Sequence, residues 1–159
     1  MRKYSIYIVL SLVIGLFTNQ ASAQTSKYKC MLQMSNYVGE GAYVVVSLIN
    51  PKGQYEKTLY VMGDDKKWYK DIKEWYKFYK KKNKVDAKTG ASIAGGDRSM
   101  TVLEIDDNKI NAGYKIRFES AVENQKYHVT DAEVLLTTEG LAEKTEGKGY
   151  IRYVKLSKM

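Results

Sequence analysis

The chain has 159 residues, 44% of them hydrophobic, and a net charge of +8; that length suits one domain with its own core and leaves little room for two. Cys30 is its only cysteine and His128 its only histidine, which excludes an internal disulfide and leaves a zinc site without a ligand set. Stability must come from packing.

The first 23 residues read as a secretory leader. Arg2 and Lys3 precede an apolar run from Ile6 to Phe17, and polar Thr18, Asn19 and Gln20 lead into Ala21-Ser22-Ala23. A basic start, an apolar stretch short for a bilayer and a small-x-small cleavage site predict a signal peptide over 1–23 and a single domain over 24–159. Gln24 follows the site, so the usual lipoprotein cysteine is missing. Loss of Arg2 and Lys3 takes the charge from +8 to +6. An exported, soluble, most often periplasmic product is expected, and nucleic acid is an unlikely partner outside the cytoplasm.

Cys30 lies in KCMLQM, a strand-like start, and reads as a buried structural thiol. The β-branched run Ala42 to Ile49, the turn residues Asn50-Pro51-Lys52-Gly53 and the strand-like run Tyr55 to Met62 predict a β-hairpin. Between Asp65 and Lys82 the period changes: Trp68, Ile72, Trp75 and Tyr79 recur at helical spacing, with lysines on the other faces. This predicts one helix over 65–82, capped by Asp64 or Asp65, whose aromatic stripe packs on a sheet. A Gly-rich loop is expected over Lys84 to Asp97. Strands follow at Ser99 to Ile105, Ile110 to Ser120, Lys126 to Thr137, where His128 is an ordinary strand residue, and Tyr150 to Leu156, the last after a polar loop from Glu139 to Lys148. Several short strands with one inserted helix predict a mainly β fold, an immunoglobulin-like β-sandwich with one inserted α-helix.

The loop contains Asp86-Ala87-Lys88-Thr89-Gly90-Ala91-Ser92. It resembles the acceptor signature of covalently flavinylated bacterial proteins: an Asp, a short spacer, Ser or Thr, Gly, Ala and a final hydroxyl residue. The resemblance implies that an exported FAD:protein FMN transferase places FMN on Ser92 as a phosphoester, although the usual acceptor is Thr. The residue types suit such chemistry. A hydroxyl must attack phosphorus, and Gly90 and Ala91 remove bulk that would keep the loop out of another enzyme's active site. Asp86 is expected to help bind metal or orient the loop within the transferase. Thr89 is the other hydroxyl of the tetrapeptide. Lys84, Lys88 and Arg98 are expected near the attached phosphate, and Trp68 or Trp75 against the flavin ring.

The order AYVVVSLINPKGQYEKTLYVMG, KKWYKDIKEWYKF, DAKTGAS and NAGYKIRFESAVEN is similar to a family of predicted periplasmic proteins, domain of unknown function 2271. The late hairpin lacks the Trp-Asp-Gly and Pro-Gly punctuation of that pattern. The resemblance implies a sandwich fold and a setting beside PepSY-domain membrane proteins and flavin transferases. Together these resemblances lead to the expectation of an exported electron carrier, itself no enzyme, that holds FMN on Ser92 and exchanges electrons with a membrane redox partner such as a PepSY-domain protein. The alternative is an immunoglobulin-like binding or adhesion module without cofactor, using some of the 14 tyrosines as its surface. A hydrolase has no visible Ser/His/Asp set or carboxylate pair to rest on.

Overall fold

A computed structural model describes residues 24–82 and 87–159. The segment read as a leader, Lys84 and Asp86 lie outside the described residues. In chain order the elements are β1 (Thr25–Met34), β2 (Tyr43–Ile49), β3 (Tyr55–Met62), a 3-10 helix (Lys66–Asp71), α1 (Lys73–Lys82), β4 (Lys88–Gly90), β5 (Arg98–Asp106), a 3-10 turn (Asp107–Lys109), β6 (Lys115–Ala121), β7 (His128–Leu135), α2 (Thr138–Ala142), β8 (Lys144–Glu146) and β9 (Ile151–Lys158). They form two sheets, ordered β5-β1-β9-β8 and β4-β3-β2-β6-β7. All pairings are antiparallel except β3 with the short edge strand β4. The fold is the mainly β sandwich that the strand spacing predicts.

The inner faces of the sheets enclose one core. Tyr28, Cys30, Leu32 and Met34 alternate inward from β1 and meet Val44, Val46 and Leu48 of β2 and Ile116 and Phe118 of β6. Cys30 is fully buried there, and burial pushes its thiol up to about 12, so it packs as a small apolar group. The β2 run YVVVSLI does not alternate, because both of its faces are covered. Val45, with Val61 and Ala121, faces outward into a second cluster built on Tyr69, Ile72 and Trp75. The turn joining β2 to β3 is held by Asn50, whose Oδ1 accepts from the amides of Lys52 and Gln54 at 3.0 Å each.

The helical segment corrects its sequence reading. It is two pieces, a 3-10 helix up to Asp71 and α1 from Lys73, meeting at Ile72. Three residues per turn in the first piece bring Tyr69 under Ile72 and Trp75, and turn Trp68 out of the stripe. Tyr69, Ile72 and Trp75 are therefore the buried residues, with Tyr79 half-buried against them, and Trp68 does not face the sheet. Asp65 caps the 3-10 piece by accepting from the Lys67 amide at 3.1 Å. The start of α1 is satisfied from the sheet instead: the Tyr127 hydroxyl accepts from the Glu74 amide at 3.2 Å. The Trp75 indole donates to Thr58 Oγ1 at 2.9 Å and stacks on Tyr79 at 5.2 Å.

Other departures are local: the strand expected from Ile110 begins at Lys115, after a turn over residues 110–113. β4 lies inside what reads as a loop, and the polar stretch before β9 contains α2 and β8. Thr137 caps α2 by accepting from the Gly140 amide at 3.0 Å. Asp131, fully buried, accepts from the amides of Lys148, Gly149 and Ile151 and from the Ser120 hydroxyl, which ties that stretch to β7 and β6.

Candidate functional site

β4 and the residues after it present the signature loop. Lys88, Thr89 and Gly90 pair in parallel with Tyr60, Val61 and Met62, and the Gly63 amide donates to the Gly90 carbonyl at 2.6 Å. Gly90 has a packing reason of its own: a Cβ there would sit 2.5 Å from the Tyr60 hydroxyl. Ala91 and Ser92 are exposed, and Ile93 turns back into the core. Ile93 and Ala42 exchange backbone hydrogen bonds of 3.0 and 2.7 Å, and the Tyr37 hydroxyl clasps the same point, donating to the Ile93 carbonyl at 2.5 Å and accepting from the Ala42 amide at 2.7 Å. Further on, the Gly96 amide donates to the Ser35 carbonyl at 2.9 Å and the Met34 amide to the Asp97 carbonyl at 2.9 Å. Ser92 thus stands on a short exposed span fixed on both sides.

That fixing places Ser92 at a cavity of about 160 Å³ lined by Glu40, Gly41, Tyr43, Trp68, Asp71, Ala121, Val122 and Glu123. Four segments distant in sequence converge here: the approach to β2, the 3-10 helix, the end of β6 and the loop itself. Gly41 is close enough that a Cβ on it would lie 2.6 Å from Ser92 Oγ. The Tyr43 ring lies across Gly63, where a Cβ would meet it at 2.1 Å and φ is +120°; only glycine accepts both conditions. Trp68, turned out of the helix stripe, becomes a wall of this cavity. Trp75, the other aromatic expected near a flavin, is buried in the second core cluster and takes no part.

The charges differ from the sequence expectation. Lys88 and Thr89 line a separate groove with Lys29, Tyr60 and Met100, and the Arg98 Nε donates to Gln33 Oε1 at 3.0 Å. Lys84 lies outside the described residues. The lining around Ser92 carries Glu40, Asp71 and Glu123 and, among the described residues, no cation. The basic residues stayed on β4 and β5, whereas the long-range bridge at Ala42 and Ile93 brought acidic neighbours to Ser92. These carboxylates do not converge: among the described residues no group of three or more His, Cys, Asp or Glu is placed to hold a metal. Glu40, Asp71 and Glu123 carry no motif that local reading of the sequence could detect.

A second polar cluster lies beneath α1. Glu119 is fully buried and accepts from the Tyr55 hydroxyl at 2.6 Å and from the Tyr127 hydroxyl. Burial pushes its carboxyl above the ordinary range, against the downward pull of those two hydroxyls and of Arg117. Its role is to seat the helix. His128 begins β7, with its ring edge-to-face on Tyr150 at 5.0 Å.

A family model described as "Predicted periplasmic protein (DUF2271)" matches residues 25–153. No curated protein and no solved structure matches the chain significantly. No helix among the described residues is long and apolar enough to cross a membrane.

Proposed function

The chain belongs to this family of predicted periplasmic proteins, domain of unknown function 2271, and on that premise we propose that it is an exported electron-transfer protein whose Ser92 carries covalently attached FMN. The observation that carries the reading is the placement of the exposed Ser92 hydroxyl, on a span fixed on both sides, at a cavity walled by Trp68 and Tyr43. In the attachment step Ser92 Oγ attacks the phosphorus on the FMN side of FAD. A new O–P bond replaces the pyrophosphate bond, AMP leaves, and the hydroxyl proton passes to a base of the transferase. The product is a phosphodiester with one negative charge.

Three features fit the group. The acceptor is exposed, Gly41 leaves open the space beside its oxygen, and Trp68 offers a face on which a flat ring can stack. The cavity is smaller than those that engulf a ligand, so it would shelter one edge of the ring and leave the rest open to a partner. Bound there, the flavin supplies the redox chemistry, and the chain supplies position, through the pinned loop, and field, through its three carboxylates. The alternative of a tyrosine-built binding surface has less support, because every described tyrosine is buried or half-buried.

The test uses exported protein with a flavin transferase, FAD and magnesium. The adduct gains the mass of FMN less one water on the peptide containing Ser92 and stays coloured through denaturation. Ser92→Ala abolishes the gain with an unchanged melting curve; Thr89→Ala keeps it, because Thr89 opens on a different groove. Wild-type protein that takes no flavin from a transferase of its own host refutes the proposal.

A further inference from the structure

The outward side of the helical layer is dense in lysine. All eight lysines between Lys66 and Lys82 are exposed. Lys73, Lys77, Lys80 and Lys81 recur at intervals of four, three and one, a stripe on α1 opposite the buried Trp75. Among the described residues, two of the eight have carboxylate partners: Lys67 pairs with Asp65 at 2.8 Å and Lys77 with Glu74 at 2.7 Å. Among the described residues no carboxylate lies in ion-pair range of Lys66, Lys70, Lys73, Lys80 or Lys81. Packing of the helix on the sheet does not explain this charge, since that contact is made by the other face.

We propose that this lysine ridge docks the protein on the anionic headgroups of a phospholipid membrane. Three observations choose the occupant. The charges are all lysine, with no arginine in the segment: compact point charges suited to a diffuse anionic surface rather than to paired recognition of individual carboxylates. The stripe lies on the exposed face of α1, and in the groove on its flank, lined by Gln54, Tyr55, Glu74, Lys77, Phe78 and Lys81, Lys77 is already paired with Glu74, so most of the unpaired charge lies along the open ridge rather than in a cleft that could seat an acidic peptide. The apolar side of α1 is committed to the core, with the Trp75 indole held by Thr58, so docking is electrostatic, without insertion and reversible by salt. The same segment supplies Trp68 and Asp71 to the cavity at Ser92, so a docked molecule holds that cavity beside the membrane. The proposal needs no flavin and stands or falls separately from the modification of Ser92.

The experiment is co-sedimentation of unmodified exported protein with vesicles. Binding to phosphatidylcholine vesicles containing phosphatidylglycerol, absent with phosphatidylcholine alone and lost at high salt, is the expected result. At about a fivefold loss for each lysine removed near a charged surface, Lys73→Gln with Lys80→Gln and Lys81→Gln lowers the affinity roughly a hundredfold. Lys27→Gln with Lys29→Gln and Lys155→Gln, exposed on the uncovered face of the first sheet, removes the same net charge and leaves binding within a few-fold of wild type. Equal losses from the two triple variants would show that net charge alone is responsible and overturn the proposal. So would wild-type protein that ignores the anionic vesicles at about 0.1 M salt, or that binds poly-glutamate in their place.

Discussion

Trp75 tests whether the helical layer is part of the folded core or an appendage. Trp75→Ala removes a fully buried indole, its stack on Tyr79 at 5.2 Å, its edge contact with Tyr69 at 5.1 Å and its hydrogen bond to Thr58. Deleting a buried aromatic costs about 3–5 kcal/mol where the site cannot collapse. Collapse is opposed here, because Tyr69 is held by its hydrogen bond to the Gly63 carbonyl and Ile72 is pinned at the junction of the two helical pieces. The Thr58 hydroxyl, in a buried residue, loses its donor, which adds about 1 kcal/mol or more. The sum, about 4–6 kcal/mol, is a large share of the 5–15 kcal/mol total typical of such a domain. Urea unfolding followed by far-UV circular dichroism measures it. Trp75→Phe keeps most of the packing and forfeits the hydrogen bond, so it should fall between the two, about 1–2 kcal/mol below wild type. A loss under about 1 kcal/mol for Trp75→Ala would mean that the helical layer contributes little to the core, and the two-cluster description would fail.

Two further predictions concern the buried carboxylates. The Glu119 carboxyl is raised by burial, so its contribution to stability is fully present below its ordinary value and is lost as pH rises through the folded-state value; wild type should lose stability relative to Glu119→Gln on going from pH 4 to 7, and a pH-independent difference between their urea midpoints would refute this. Asp131→Ala strips the acceptor from the Gly149 and Ile151 amides and from Ser120, while the Lys148 amide keeps the Asp131 carbonyl at 2.8 Å, so it should cost on the order of 3–4 kcal/mol and speed hydrogen exchange at Gly149 and Ile151. An unchanged midpoint would mean that water replaces the carboxylate.

The parts of the fold legible in the sequence are those set by local signals. The hairpin from Ala42 to Met62 could be read because β-branched runs flank a turn whose Asn, Pro and Gly have defined backbone roles, and the structure keeps all three in place. The helix was half legible. The apolar spacing fits a period of 3.6 throughout, but the stretch before Ile72 runs at three residues per turn, which exchanges Trp68 for Tyr69 in the core. Nothing local distinguishes these two aromatic neighbours; Tyr69 is chosen by the Gly63 carbonyl its hydroxyl reaches and by the Tyr43 ring beside it. The short α2 and β8 stayed hidden for a similar reason. α2 is held by Asn111, whose side-chain amide donates to Thr138 Oγ1 at 3.1 Å, and the turn after β8 by Asp131, and such partners leave no periodic trace.

At the candidate site, Ser92 and Trp68 line one cavity, but the charge around them is not the one that the sequence suggests, and that difference bears on the chemistry. Proximity along the chain suggested Lys88 and Arg98; proximity in space supplies Glu40, Asp71 and Glu123. A shallow cavity of about 160 Å³ lined by three carboxylates is poorly suited to hold free FMN, whose phosphate carries up to two negative charges and would be repelled at short range. On the proposed reading a covalent bond overcomes this. Cleavage of the FAD pyrophosphate drives attachment, the product keeps one negative charge instead of two, and water at the exposed Ser92 screens what remains. With FMN so attached, the carboxylates would act on the ring rather than on retention: they would oppose the added negative charge of reduction and so favour passing electrons onward. In this chain the acidic pocket and the lysine ridge meet at one short segment, where Trp68 and Asp71 face the cavity and Lys66, Lys70 and Lys73 are exposed beside them. On the two proposals together, these charges would separate the tasks, the ridge directing the molecule to an anionic surface and the pocket setting the field around an FMN on Ser92.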